Sequence, residues 1–271
     1  MSWLHEVFGV SKPVIGMIHL PALPGSPLYD TARGMKGILE WARRDLHALQ
    51  EGGVDGVMFC NENDRPYILR VDAATVAAMA VVVGALRSEI QVPFGIDILW
   101  DPVAAIAVAH ATGAQFVREV FTGAYASDMG LWSPSAGEAL RYRRAIGADA
   151  VRVFFNINAE FAAPLGSRSL AEIARSVVFS SLPDVLCVSG SLTGVPVRIE
   201  DLQAVKEAVG TIPVFINTGA RHDNIADLLP WADGVIVGSS LKVDGITWNP
   251  VDPGRVRAFM DIVRRVRETG G

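Results

Sequence analysis

Residues 94–121 read FGIDILWDPVAAIAVAHATGAQFVREVF and contain one complete repeat of the pattern that determines the fold. Two short apolar runs, residues 94–99 and 116–121, flank an alanine-rich stretch that ends in the turn Thr112-Gly113-Ala114. A glycine after a helix is its usual left-handed stop, and short apolar runs bounded by turn residues are typical of buried strands. The order strand, helix, strand indicates parallel strands that are joined by a right-handed crossover.

The same pattern recurs along the chain, and several helix ends are marked by sequence signals. Ser135, with Glu138 three residues later, predicts the first turn of a helix that continues to Arg144. Asp252 followed by Pro253 predicts the start of the last helix. The apolar runs that we predict as strands are residues 14–20, 56–60, 94–99, 116–121, 151–157, 185–189, 214–217 and 234–237.

Eight strand–helix units predict a single closed (β/α)8 barrel, the TIM-barrel fold, in which active sites lie at the C-terminal ends of the strands. The chain has 271 residues, which suits one such barrel of ~250 residues. We expect one domain over residues 1–271, with residues 1–10 forming a helix under the barrel floor. The alternative is a doubly wound open sheet, but no Gly-x-Gly-x-x-Gly turn follows the first strand.

The composition argues against several partners and locations. The net charge is -5 without a basic block, whereas nucleic-acid binding usually shows a clustered positive footprint. The N-terminus lacks the pattern of a signal peptide, and the apolar stretch Ala73–Leu86 is shorter than the ~20 residues of a membrane span. We therefore expect a soluble, cytoplasmic protein without a membrane span, in which Cys60 and Cys187 are buried free thiols.

Acidic side chains at the predicted strand ends are candidates for catalysis. Alternation along residues 94–99 turns Asp97 into the barrel near its rim, where a carboxylate is hard to explain by packing. The structural alternative is an ion pair of Asp97 with Arg118 or Arg152. Arg118 and Glu119 are adjacent, so only one of them faces the interior; we favour Glu119, with Val117 on the same face.

Further polar residues follow the first, second and fifth predicted strands. His19 ends the first strand, and Glu62 is the residue that we favour in the polar loop 61–65 after the second. Alternation leaves Asn156 and Asn158 facing inward late in the fifth strand, as ligand-binding amides or as partners of neighbouring strand ends. We expect His19 and Glu62 to join Asp97 and Glu119 as acid–base groups.

Two glycine-containing loops near the end of the chain predict an anion site. Asn217-Thr218-Gly219-Ala220 and Gly238-Ser239-Ser240 follow the seventh and eighth strands, where barrels commonly hold a substrate's phosphate. Glycine lets the backbone approach a ligand, and consecutive N–H groups form an anion cradle. Ser189 after the sixth strand could add a wall, and Lys242 could neutralise charge or lie on the surface.

The sequence also resembles the BtpA/SgcQ family over nearly its whole length. The resemblance is carried by VIGMIHLP at 14–21, LPGSP at 23–27, FTGAY at 121–125, LRYRR at 140–144 and DGVIVGSSLK at 233–242. It implies a TIM barrel. One branch is named for photosystem I biogenesis and another is associated with sugar-utilisation gene clusters. Many members carry Asn at the position of Asp97 and near Glu119, which implies a shared site location rather than a shared substrate.

These observations favour an enzyme that acts on a small phosphorylated, sugar-like metabolite by acid–base chemistry, as an isomerase, epimerase or lyase. No strand carries an inward lysine at its rim, which argues against a Schiff-base aldolase. One alternative is a non-catalytic assembly factor that uses Trp100, Trp132 and Trp248 on top loops. Another is a metal-assisted hydrolase or glycosidase-like enzyme, with a divalent metal among His19, Glu62, Asp97 and Glu119. Assembly into a homo-oligomer stays open.

Overall fold

The computed structural model describes residues 3–192 and 194–269. The strands of this part are, in chain order, β1 Val14–His19, β2 Gly56–Cys60, β3 Phe94–Asp97, β4 Phe116–Glu119, β5 Tyr125–Ser127, β6 Gly130–Trp132, β7 Arg152–Asn156, β8 Ala162–Pro164, β9 Val185–Val188, β10 Val214–Ile216 and β11 Gly234–Val237. The helices are α1 Trp3–Phe8, α2 Gly34–Gly52, α3 Ala73–Leu86, α4 Pro102–Thr112, α5 Ala136–Ala145, α6 Leu170–Ser181, α7 Ile199–Val209, α8 Ile225–Leu228 and α9 Pro253–Thr269.

The predicted (β/α)8 barrel is confirmed. Eight parallel strands close in the order β1-β11-β10-β9-β7-β4-β3-β2, and β1 pairs with both β2 and β11. All eight predicted apolar runs contain a barrel strand, although most strands end one or two residues earlier than the run. The helix signals are also confirmed, because α5 begins after Ser135, whose Oγ accepts a hydrogen bond from the backbone N–H of Glu138, and α9 begins at Pro253.

Side-chain alternation separates the barrel interior from the helix layer. Phe94, Ile96 and Ile98 lie in the large cluster that packs against the helices, as expected. Phe116 and Phe154 point into the barrel, where their rings stack at a centroid distance of 4.8 Å. A Cβ at Gly95 would lie 2.2 Å from the ring of Phe116, so this glycine makes room for an interior aromatic ring.

Helix α1 packs across the N-terminal ends of the strands. The ring of Phe8 lies 5.8 Å from Phe116, and Trp3 lies 6.2 Å from Phe154 in an edge-on contact. Residues 1 and 2 of the predicted N-terminal helix, and residues 270 and 271 at the end of the predicted domain, lie outside the described residues. No helix in the described ranges is long and apolar enough to cross a membrane.

A small antiparallel sheet was not predicted from the sequence. Strands β6, β5 and β8 form it, from the segments that follow β4 and β7. Trp132 of β6 contacts Trp100 at 5.3 Å, and Trp100 also contacts Tyr67 and Phe161. The sheet thus packs an aromatic cluster beside the C-terminal rim of the barrel.

Candidate active site at the C-terminal rim

A cavity of about 360 Å³ lies at the C-terminal rim, within the ~300–1,000 Å³ typical of small-molecule sites. His19, Glu62 and Arg118 line it on the side of β1, β2 and β4. On the other side it is lined by the loops after β10 and β11, residues 217–223 and 238–240. It therefore brings part of the predicted acid–base set into one space with the predicted anion loops.

Asp97 does not line this cavity; it forms a buried ion pair. Its Oδ2 lies 2.6 Å from Nη2 of Arg118, and the side chains are 0% and 6% exposed. Arg152 instead pairs with Asp184. The structural alternative considered for Asp97, an ion pair with Arg118, is therefore the arrangement present. The inward direction of Asp97 agrees with the sequence pattern, but it is Arg118, the partner of Asp97, that lines the cavity.

The orientation expected for β4 is wrong. Val117 lies in the cluster that faces the helices, while Arg118 lines the cavity. Glu119 follows Val117 in alternation and is completely buried. Burial, followed by the charge of Asp97, raises the pKa of the Glu119 carboxyl well above its ordinary value. Glu119 is thus a buried carboxyl close to the Asp97–Arg118 pair, and it does not line the cavity.

Two carboxyls that do line the cavity have pKa values suited to acid–base work. Burial, and then the charge of Asp97, raises the pKa of Glu62 to about 7. Burial also raises the pKa of Glu160 to about 7, although the charge of Arg118 opposes this rise. Glu160 lies four residues after β7 and was missed in the sequence. In the sequence it is marked only by its place in the segment at the end of the fifth predicted strand, which also contains Asn156 and Asn158.

His19 reaches the cavity as a neutral imidazole. Burial, and then the charge of Lys242, lowers the pKa of His19 well below its ordinary value. A Cβ at Gly238 would lie 2.9 Å from Cε1 of His19, so the ring packs directly on this glycine. His19 therefore can donate or accept one hydrogen bond but does not supply positive charge at neutral pH.

The amide side chains divide into two groups. Asn217 donates to Oγ of Ser189 at 2.8 Å, and this hydroxyl donates to Oδ1 of Asn156 at 3.1 Å. Oδ1 of Asn217 and Nδ2 of Asn156 have no partner among the described residues and are buried. Asn158 was expected at the ligand but bonds the backbone N–H and carbonyl of Ser189, away from the cavity. Asn158 thus ties two strand ends together, as its structural alternative predicted.

The two late loops present backbone N–H groups to the cavity. No described residue accepts a hydrogen bond from the amides of Gly219, Ala220, Ser239 and Ser240. Gly219 has φ 67°, and a Cβ there would lie 2.3 Å from the backbone of Val195, so the turn requires glycine. The Thr218 hydroxyl accepts from the amide of Gly190 and donates to the carbonyl of Val195, so this side chain is already paired.

Two arginines and a histidine beside these loops were not identified from the sequence. Arg221, His222 and Arg255 line the cavity, and Nε of Arg255 donates to the carbonyl of Ser240 at 2.8 Å. The adjacency of Arg221 to the predicted loop was a usable signal, whereas Arg255 reaches the site from α9. Lys242 is neither a surface residue nor a cavity residue; it is fully buried, with Nζ 3.0 Å from Oδ2 of Asp45 in α2.

The rim carboxylates and His19 do not form a metal centre. Among residues 3–192 and 194–269, no group of three or more His, Cys, Asp or Glu side chains is arranged to hold a metal ion. The cysteines are free and buried: Cys60 lies in β2, where its Sγ donates to Glu62 at 3.7 Å, and Cys187 lies in β9.

The chain matches the model of the BtpA family over residues 10–265. It is 48% identical to the putative sgc region protein SgcQ of Escherichia coli, over 98% of this chain and 100% of that protein. It is 39% identical to the photosystem I biogenesis protein BtpA of Synechocystis sp., over 95% of this chain and 90% of that protein. The matched range contains all eight barrel strands and the stretch of chain from which the rim cavity is built.

Solved structures share the fold at low sequence identity. (S)-3-O-geranylgeranylglyceryl phosphate synthase of Thermoplasma acidophilum, in complex with sn-glycerol-1-phosphate, superposes with a TM-score of 0.61 at 13% identity and 97% coverage of both chains. Phosphoribosyl anthranilate isomerase of Thermococcus kodakaraensis superposes with a TM-score of 0.54 at 15% identity, over 93% of this chain and 99% of that one. Both are barrels, and at this identity the likeness concerns the fold alone.

Proposed function

This chain belongs to the BtpA family, and we propose that it is an enzyme which transfers a proton next to a carbonyl or hydroxyl of a small phosphorylated, sugar-like metabolite. The observation that carries the proposal is one cavity with two opposite chemical ends. Glu62 and Glu160 lie at one end, and the loops after β10 and β11 lie at the other. Such a cavity suits a ligand with an anionic group at one end and a reacting carbon at the other.

The carboxyl end can both take and give a proton. With pKa values of about 7, Glu62 and Glu160 are each partly ionised at neutral pH, and so one can act as base while the other acts as acid. Nε and Nη1 of Arg118 are buried without a partner among the described residues. A substrate oxygen that gains negative charge during proton removal would satisfy them, and this interaction would strengthen in the transition state.

The loop end supports binding of a phosphate. Unpaired amides of Gly219, Ala220, Ser239 and Ser240 supply donors, and Arg255 supplies positive charge, whereas Arg221 is in an ion pair with Asp223. The Thermoplasma synthase, whose structure contains sn-glycerol-1-phosphate, is an example of this fold that binds a phosphorylated compound. No lysine lines the cavity in the described part of the chain, which favours direct proton transfer over a Schiff-base route.

The tryptophans do not favour the alternative of an assembly factor. Trp100 and Trp132 are 1% and 5% exposed, and they pack with each other beside the rim. Trp248 is 40% exposed, and its ring is covered by the guanidinium of Arg65 at 3.7 Å. These side chains therefore form no continuous apolar surface for a protein partner.

Proton exchange with solvent tests the proposal. A panel of aldose and ketose phosphates with three to six carbons is incubated with the protein in D2O and followed by ¹H NMR. We expect at least one compound to lose the signal of a proton next to its carbonyl or hydroxyl. Glu160→Gln and Glu62→Gln should slow this loss by ~100-fold or more, since each removes a positioned acid–base group.

Glu268→Gln is the matched control, because Glu268 is an exposed residue at the end of α9. It should exchange at the wild-type rate. Retention of every proton by the wild-type protein across the panel, or equal exchange in all three variants, would contradict the proposed chemistry.

A further inference from the structure

His222, in the loop after β10, uses both nitrogens of its ring to contact the loop after β11 and helix α9. Nε2 lies 2.8 Å from the backbone carbonyl of Arg255, and Nδ1 lies 3.1 Å from Oγ of Ser240. Phe259 contacts the ring edge-on at 5.5 Å. A carbonyl only accepts hydrogen bonds, so Nε2 carries a hydrogen in every charge state of the ring. Nδ1 is therefore the nitrogen that gains or loses a proton.

The charge of His222 determines what Ser240 offers to the cavity. When the ring is neutral, Nδ1 is an acceptor, and the single hydrogen of the Ser240 hydroxyl points to it. Ser240 then faces the cavity with lone pairs only. When the ring is protonated, Nδ1–H donates to Oγ, and the hydroxyl hydrogen is released to turn towards a ligand. Protonation thus adds one positive charge and one donor at the same place.

We propose that His222 takes up a proton when an anion occupies the loops after β10 and β11, and that this coupling makes the site select a doubly charged phosphate monoester. The proton comes from solvent and bonds to Nδ1; no other bond is made or broken. The inference rests on the proposed function, because it concerns the phosphate end of the same cavity. It adds to that function a residue which sets the charge of the ligand.

The charged groups beside His222, on its own loop and on α9, are Arg221, Asp223 and Arg255. Arg221 and Asp223 form an ion pair at 3.0 Å. Nε of Arg255 donates to the Ser240 carbonyl, and no carboxylate among the described residues forms an ion pair with its guanidinium. His222 is thus the titratable group in direct contact with the loop. The groups that face it from across the cavity are His19, Glu62, Arg118 and Glu160.

Sulfate is the probe for this coupling, because it stays doubly charged throughout the neutral range and releases no proton itself. Sulfate is titrated into the protein by calorimetry at pH 8, because an ordinary imidazole is mostly neutral at that pH. The titration is repeated in a second buffer of different ionisation enthalpy, and the difference in heat gives the number of protons taken up. We expect uptake of roughly 0.5 to 1 proton per sulfate bound, because a single imidazole changes charge. His222→Gln should bind sulfate at least several-fold more weakly and without proton uptake.

Glu62→Gln and Glu160→Gln separate His222 from the carboxyls that also titrate near neutrality, and both should retain the uptake. The ring ¹⁵N NMR spectrum of the wild-type protein reports the protonation of His222 directly, and with only 5 histidines in the chain its signals are few. Sulfate should move Nδ1 of His222 into the range of a protonated nitrogen. Sulfate binding with a neutral His222, or with uptake unchanged in His222→Gln, would overturn the inference and leave the anion site in place. Absence of sulfate binding to the wild type would overturn both the anion site and this inference.

Discussion

Replacement of Asp97 by Asn should destabilise the fold through Arg118. The substitution keeps the shape of the side chain but removes the charge that lies 2.6 Å from a guanidinium which is only 6% exposed. Removal of one partner from a buried ion pair costs about 3–5 kcal/mol. We expect about 3 kcal/mol, the lower end of that range, because Glu119 and Glu160 also act on Arg118 and the Asn carbonyl can still accept from it.

A change of about 3 kcal/mol corresponds to a decrease in Tm of about 6–12 °C for a domain of this size. Scanning calorimetry at pH 8 measures it, with Arg118→Met and the double variant completing a double-mutant cycle. The loss in free energy of unfolding of the double variant should be smaller than the sum of the two single losses by more than about 1 kcal/mol, since the residues are in contact. Additive effects, or a Tm of Asp97→Asn within a degree of wild type, would refute the role of Asp97 as the partner of Arg118. From the sequence, Asp97 was favoured as an acid–base group, with this ion pair as the structural alternative.

Three further outcomes are expected. In the folded state the pKa of Glu160 is about 7, whereas in the unfolded state it is near 4.5. The bound proton therefore stabilises the fold fully below about pH 4.5, and this contribution is lost as pH rises through 7. Urea unfolding at pH 5 and pH 8 should show up to about 3 kcal/mol of pH dependence that Glu160→Gln removes. Gly238→Ala should weaken sulfate binding at least tenfold, because the new Cβ displaces His19. Gly84 lies in α3 with open space around it, so the control variant Gly84→Ala should bind sulfate normally and should be more stable than the wild type by about 0.5–1 kcal/mol. Lys242→Met should lower the free energy of unfolding by about 3 kcal/mol in the same urea assay, because the buried Asp45 carboxylate then keeps only the half-exposed Arg44, at 3.4 Å, as a cationic partner. A loss below about 1 kcal/mol would contradict this.

The sequence contained enough information for the barrel because the barrel is built from local patterns. Apolar runs, glycine stops and caps such as Ser135 each act within a few residues, and their order determines a parallel closed sheet. The small sheet of β5, β6 and β8 escaped prediction because its strands have three residues each, and because β5 pairs not only with the neighbouring β6 but also with β8, which lies far along the chain. Such short strands carry too little alternation to be recognised.

The candidate site was predictable where backbone position decides it, at the loops after β10 and β11. It was less predictable where side-chain partners decide it. Asp97 faces inward as alternation requires, yet its role depends on Arg118, and adjacent residues on β4 gave no sign of which one turns inward. Glu160 and Arg255 reach the cavity from a loop and a helix, where no periodic rule gives the direction of a side chain.

The most direct test is a crystal structure of the protein soaked at saturating concentration with glycerol phosphate, a small phosphate monoester. The account predicts density in the rim cavity, with the phosphate on the amides of residues 219–220 and 239–240 and the carbon chain directed towards Glu62 and Glu160. Bound glycerol phosphate with its phosphate at Arg118 and away from these loops, or a ligand bound elsewhere while this cavity holds none, would contradict it.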